Sequence, residues 1–122
     1  MLSLYLLICL ICPVLAQVNF TPVVQTSTGP VRGEVLTYAN VTVHRYLSIP
    51  YAEPPVGELR FAPPKPVKSW RDTLDAIKYG NRCIQDTTYD ALMLGTREAP
   101  PVDEDCLHLT IVAPKSADND KK

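Results

Sequence analysis

The chain is 122 residues long and carries 12 basic against 13 acidic side chains, a net charge of −1. That balance argues against a nucleic-acid-binding surface and against a strongly acidic or basic tail. Two histidines leave no credible metal-ligand set, and no glycine-rich phosphate loop occurs, so neither a metal nor another cofactor is expected.

Nothing from Met1 to Ala16 is charged, and Leu2 to Leu15 is apolar apart from Ser3 and Pro13. Such a stretch is too short to span a bilayer and suits the core of a signal peptide. Val14 and Ala16 put small residues where a signal peptidase reads, which predicts cleavage after Ala16 and a secreted protein without a membrane span. A buried apolar helix over the same residues is disfavoured by Pro13 and by the polar turn of the chain right after Ala16. Cys9 and Cys12 leave with the peptide. The mature chain, 17–122, is 106 residues (122 − 16) and keeps Cys83 and Cys106. In an oxidising compartment an even count suggests one disulfide, with two free thiols as the alternative. It closes a loop of about twenty residues, which corresponds to roughly 3 kcal/mol of stabilisation.

Two N-x-S/T sequons follow, at Asn19 and Asn40, and both are candidate glycan acceptors. Asn40 is favoured, because Tyr38-Ala39-Asn40 reads as a turn between two strand-like runs. Short β-branched runs predict strands over Val23 to Thr26, Val31 to Thr37 and Val41 to Ser48, with Gly29 and Pro30 punctuating them. Together they read as a small antiparallel sheet at the edge of something larger. His44, on the third run, is expected to be a strand-face histidine, since no acidic or nucleophilic partner is patterned with it.

From Tyr46 to Phe61 the chain reads YLSIPYAEPPVGELRF. Pro50 excludes a helix before it, and Pro54-Pro55 fixes two φ angles and removes two donors. An irregular ribbon is predicted, with Pro55, Val56 and Gly57 in a type I turn and Leu59-Arg60-Phe61 extended. Its aromatics need a surface to lie on. Further on, Trp70 stands among prolines as a packing anchor, while 72–79 fits either a helical turn or a short strand. Tyr89 to Leu94 fits one or two helical turns ended by Gly95. Leu107, Leu109 and Ile111 alternate with His108, Thr110 and Val112, which predicts a strand with one apolar face. The charged tail from Lys115 shows no periodicity.

IPYAEPPVGELRF, with Pro63-Pro64 and Trp70 behind it, resembles the N-terminal part of the type-B carboxylesterases, the family that also holds the cholinesterases and the non-catalytic neuroligins. Glu104-Asp105-Cys106-Leu107 is similar to the family's EDCL signature. Ser48 stands where the family usually has glycine, His108 where it has an aromatic, and Thr110 where it has Asn, Asp or Ser. The resemblance implies an α/β fold, the α/β-hydrolase, of which this chain supplies the N-terminal antiparallel strands, a proline-rich irregular segment and a disulfide loop. It also implies that Cys83 pairs with Cys106 and that Arg60 pairs with a carboxylate near that disulfide. Glu104 is the expected partner, because Asp105 should point to the opposite side of an extended segment. The tryptophan by which cholinesterases stack a choline cation has no counterpart in the loop between the cysteines, which puts such a site in doubt; Tyr89 is a weaker aromatic candidate, and loop packing is the favoured role for it.

A serine hydrolase of this fold needs a G-x-S-x-G elbow, an HGGG-type oxyanion loop and a later acid and histidine. Ser3, Ser27, Ser48, Ser69 and Ser116 all lack the flanking glycines, and Gly-Gly does not occur. No catalytic residue is therefore assigned. The sequence reads as the N-terminal portion of a secreted carboxylic ester hydrolase that acts on small ester substrates through an acyl-enzyme, inactive by itself. The alternatives are a neuroligin-like adhesion protein and a truncated gene product. Oligomeric state is not legible.

Overall fold

The computed structural model describes residues 18–86 and 99–115. The Met1 to Ala16 stretch read as a signal peptide and the expected turns at Tyr89 to Leu94 lie outside them. The strands are β1 (Val24–Gln25), β2 (Pro30–Arg32), β3 (Glu34–Tyr38), β4 (Val41–Pro50), β5 (Leu74–Asp75) and β6 (His108–Pro114), with one 3₁₀ turn at Gly57–Leu59. They form two three-stranded sheets, β1-β2-β5 and β3-β4-β6.

The turn between β1 and β2 is built by Thr26. Its hydroxyl donates to Gly29 O at 2.7 Å and accepts from Gly29 N at 3.1 Å, the side-chain mimicry of a backbone turn that hydroxyl residues provide. Trp70 closes this corner, donating Nε1–H to Pro30 O at 3.0 Å with its ring against the face of Gly29 that lacks a Cβ.

The run 31–37 is not the single strand expected; it breaks at Gly33. The hydrogen bonds of Gly33 go to Thr21, whose N–H donates to Gly33 O at 3.0 Å and whose Oγ1 accepts from Gly33 N at 2.9 Å. The chain passes so close to Arg45 that a Cβ on Gly33 would stand 2.2 Å from Arg45 O. Glycine alone fits such an approach.

Beyond Gly33, β3 and β4 form an antiparallel hairpin in which Glu34 faces Arg45 and Tyr38 faces Val41. Arg45 reaches Glu34 Oε1 from Nε at 2.9 Å and Nη2 at 2.6 Å, a cross-strand pair that supports the register. Ala39 and Asn40 have φ of 46° and 68°. Positive φ at both central residues is what a two-residue type I′ hairpin requires, and asparagine tolerates it.

In the second half of β4 the ladder to β6 slips between Tyr46 and Ile49. Within the bulge Ser48 has φ 56°, and Leu47 turns inward to 2% exposure. The Leu47 N–H donates to Ala76 O at 2.8 Å, and Ala76 N donates to Arg32 O at 2.7 Å. Residue 76 thereby joins the two sheets. Val31, Leu47, Ala52 and Ala76 are the buried apolar residues among those described; Leu47 and Ala76 form this junction, and Val31 precedes Arg32 in it. The strand expected to end at Ser48 runs on to Pro50, pairing with β6 through Tyr46, Ile49 and Pro50. Pro50 is tolerated because it is the terminal residue.

The open choice at 72–79 resolves as the short strand β5, which runs parallel to β2 with Val31 opposite Leu74 and Arg32 opposite Asp75. The sheets are thus not wholly antiparallel. Arg32 holds Asp75 bidentately, Nε to Oδ1 at 2.8 Å and Nη2 to Oδ2 at 2.9 Å, with its guanidinium 4.1 Å from the Phe20 ring centroid. The hydrogen bonds from Arg32 hold the Asp75 carboxyl below its ordinary value and raise the guanidinium. A carboxylate depressed in the folded state contributes stability that is present above its unfolded pKa, about 3.9, and is lost as pH falls through the lower folded value. Acid unfolding followed from pH 5 downward should therefore differ between the parent and Asp75→Asn, the two curves converging at the acid end. Curves separated by a constant offset at all pH values would contradict it.

The ribbon departs from expectation in two places. Val56 is extended, with φ −110° and ψ 161°, and the tight turn comes one step later at Gly57–Leu59, where Gly57 takes φ 56°. A type I turn over 55–57 would need Val56 near ψ 0°, which the extended Val56 does not adopt. Phe61 is left-handed at φ 61° and 95% exposed rather than laid on a surface. The apolar face read in β6 is likewise open: Leu109 and Ile111 are exposed, as is Val112.

Candidate functional site

A clamp joins residues 81–83 to residues 100–108. Arg82 is the centre of a parallel bridge to Val102. Its N–H donates to Pro101 O at 2.8 Å, its carbonyl accepts from Asp103 N at 2.9 Å, and its Nε donates to Pro100 O at 2.9 Å. Asn81 Nδ2 donates to Asp105 O at 3.3 Å. Cys83 and Cys106 are joined by a disulfide, with Cα atoms 5.0 Å apart. Glu104-Asp105-Cys106 is not an extended segment, because Asp105 N donates to Asp103 Oδ1 at 2.9 Å and Cys106 N to Glu104 O at 2.9 Å.

Arg60 Nε lies 2.6 Å from Glu104 Oε1, tying the proline-rich ribbon to the clamp. The pair borders a cavity of about 390 Å³ that Pro55, Phe61 and Ile84 also line. The Arg60 side chain is 55% exposed and that of Glu104 30%, more open than its setting between Leu59 and Phe61 suggests. In that setting the pair is screened, and Glu104→Gln is expected to cost no more than about 1 kcal/mol. Urea midpoints of parent and variant at low and high salt measure it. A loss on the order of 3 kcal/mol, insensitive to salt, would instead indicate a desolvated pair.

A second cavity, about 650 Å³, is lined by Tyr79, Gly80, Asn81, Cys106 and His108 among others. His108 Nε2 sits 2.8 Å from Asn81 O, and Gly80 N donates to Ser48 Oγ. Ser48 and His108, both departures from the resembled pattern, thus meet at the same point beside Gly80, where a Cβ would stand 2.6 Å from His108 Nε2 and 3.0 Å from Ser48 Oγ. Sequence reading missed this convergence, and the only signal was that both positions depart together. A left-handed residue in a bulge is ordinarily glycine. Serine carries a conformational cost of about 1 kcal/mol there but gains the Gly80 N–H. Ser48→Gly should therefore be nearly neutral in urea unfolding, while Ser48→Ala, which keeps the strain and drops the bond, should lose about 1 kcal/mol. Equal midpoints for the glycine and alanine variants would contradict this.

No acyl-transfer constellation is assembled from these groups. The Ser48 hydroxyl is engaged by Gly80, and Ser27 and Ser69 are exposed outside the strands. His44 is half-buried on β4, facing Val35 and Ala113 across the two ladders. Among the described residues no cluster of His, Cys, Asp or Glu could hold a metal ion, and no helix is long and apolar enough to cross a membrane. Asn40 occupies the hairpin tip, whereas Asn19 runs beside β3, its carbonyl accepting from Val35 N at 2.7 Å. Tyr89 lies outside the described residues.

A family model described as "Carboxylesterase family" matches residues 20–122. The chain is 45% identical over 92 residues to para-nitrobenzyl esterase of Bacillus subtilis, covering 75% of this chain and 18% of that protein. It is 41% identical over 98 residues to Esterase cest-33 of Caenorhabditis elegans, covering 80% of this chain and 18% of the relative. The solved structure of a thermophilic pNB esterase superposes with a TM-score of 0.62 at 43% identity, over 75% of this chain and 18% of that one. The chain spans about a fifth of the length of the relatives it matches, and the strands and the disulfide loop described above are the N-terminal portion of an α/β-hydrolase. This chain belongs to the carboxylesterase family.

Proposed function

We propose that the protein to which these residues contribute is a secreted hydrolase of small carboxylic esters, working through a serine acyl-enzyme, and that the present residues build its N-terminal sheet and clamped loop rather than its reacting groups. The family match over 20–122 carries this reading. Secretion is supported by the uncharged, apolar Met1 to Ala16 stretch and by a disulfide, which persists in oxidising compartments. The 122 residues contain no serine flanked as a nucleophile elbow requires.

The 122-residue chain is therefore expected to leave a small nitrophenyl ester unhydrolysed above the buffer rate. Turnover that an organophosphate abolishes by labelling a serine of this chain would overturn the division of labour. For the complete protein the same assay should show turnover, lost when the serine of its elbow is changed. An elbow with another residue in that place, and no turnover, would make the protein a non-catalytic binding member of the family.

A further inference from the structure

We infer that Asn40 carries an N-linked glycan whose first sugar lies over the ring of Tyr38, an inference that rests on the secretory reading above. Both sequons satisfy the acceptor pattern, but the fold treats them differently. The hydroxyl that completes the Asn19 sequon belongs to Thr21, which is 4% exposed and is engaged with Gly33 N and Pro22 O at the strand break. A glycan on Asn19 would stand two residues from that buried hydroxyl and crowd the strand break it holds.

Asn40 stands at the opposite extreme. It is the second central residue of the hairpin turn, exposed, with nothing of the described fold beyond it. The Thr42 hydroxyl, which completes its sequon, hydrogen-bonds Thr37 Oγ1 across the strands at 3.1 Å, in an exposed position. The tip is also apolar. Tyr38 is 86% exposed, and its cross-strand partner Val41 is exposed too, so a phenol ring and an aliphatic side chain lie side by side in water at the end of the hairpin. A large aromatic surface of this kind gains from being covered. The C–H face of an N-acetylglucosamine two residues away supplies a cover that leaves the sugar hydroxyls and the tyrosine O–H in water. The same sugar would blunt the end of a hairpin that is otherwise an exposed apolar patch.

The test is translation of the whole chain, with its own first sixteen residues, in the presence of microsomes. Protease protection reports translocation and an endoglycosidase-sensitive mobility step reports the glycan. One step is expected, lost in Asn40→Gln and in Thr42→Val and retained in Asn19→Gln. Thr42→Val removes the acceptor pattern while keeping Asn40 in the turn, so it separates loss of the acceptor from an effect of Asn40→Gln on the hairpin. A chain that is protected yet lacks the step, or a step that survives Asn40→Gln and vanishes in Asn19→Gln, overturns the assignment alone. A chain that is never protected overturns the secretory reading, and the assignment with it. The contact to Tyr38 is read in the secreted glycoprotein from the acetyl methyl proton resonance of the first sugar. It is expected upfield of its position in the free glycan and should return there in Tyr38→Thr; an unshifted resonance in the parent overturns the stacking.

Discussion

Gly33→Ala is expected to abolish cooperative unfolding, with a loss of at least about 3 kcal/mol. The added Cβ would stand 2.2 Å from Arg45 O and 2.7 Å from Tyr46 Cδ1. The first of these neighbours is backbone held in the β3–β4 ladder and cannot step aside as the end of a long side chain does. Relief would have to come from moving Gly33 outward, which breaks both of its hydrogen bonds to Thr21 and leaves a buried hydroxyl and two backbone groups to find new partners. Because Gly33 is the single residue between β2 and β3, the two sheets cannot shift independently to absorb the change. Far-ultraviolet dichroism against urea measures the effect. A variant with the midpoint of the parent would show that the strand break tolerates a side chain and that the close approach is not what fixes it.

Removing the disulfide is the second large effect. The double variant Cys83→Ser, Cys106→Ser releases a loop whose ends are 23 residues apart, for which the chain-entropy account gives about 3 kcal/mol. The clamp is not held by the disulfide alone, since Arg82 bonds to Pro100, Pro101 and Asp103 independently of the sulfurs. The strands around Leu47 should accordingly keep their protection from amide exchange while residues 81–83 and 100–106 lose theirs. Uniform loss across the chain would mean that the clamp nucleates the fold rather than decorating it. The single variant Cys83→Ser should behave differently in an oxidising medium, because it leaves Cys106 free to pair between chains.

Local chemistry made much of this legible from the sequence. The hairpin tip at Ala39-Asn40 follows from turn preference, and the strands on either side follow from β-branched density. Trp70 behaves as a packing anchor because so large a ring has few other options. The cysteines could pair in one way only once the leader was set aside. What escaped reading depends on residues distant in sequence. Nothing near Gly33 announces that Arg45 O will lie against it, and nothing in Leu74-Asp75 announces a parallel partner at Val31-Arg32. The open placement of Phe61, and of the Leu109 and Ile111 face, escaped for a different reason: an apolar residue in a sequence specifies that it should be covered, but not by what. At the clamp, motif reading led to Arg60, Glu104 and the cysteines, and it passed over Asn81, Arg82 and the meeting of Ser48 with His108, whose side chains bond to backbone groups far away in sequence that no local pattern marks.

Strand β6 has a consequence for how the protein is made. From His108 to Pro114 it has no acidic, lysine or arginine side chain, and among the described residues it pairs with β4 alone, so one edge presents an unbroken row of backbone donors and acceptors beneath exposed Leu109, Ile111 and Val112. On a ribosome delivering roughly 5–20 residues per second, that edge is open to pairing from the moment it emerges. Such an edge is a template on which neighbouring chains can pair. The interval between its emergence and its capture is then the period in which yield is decided, and a holding chaperone that binds this strand would raise yield without altering the finished protein.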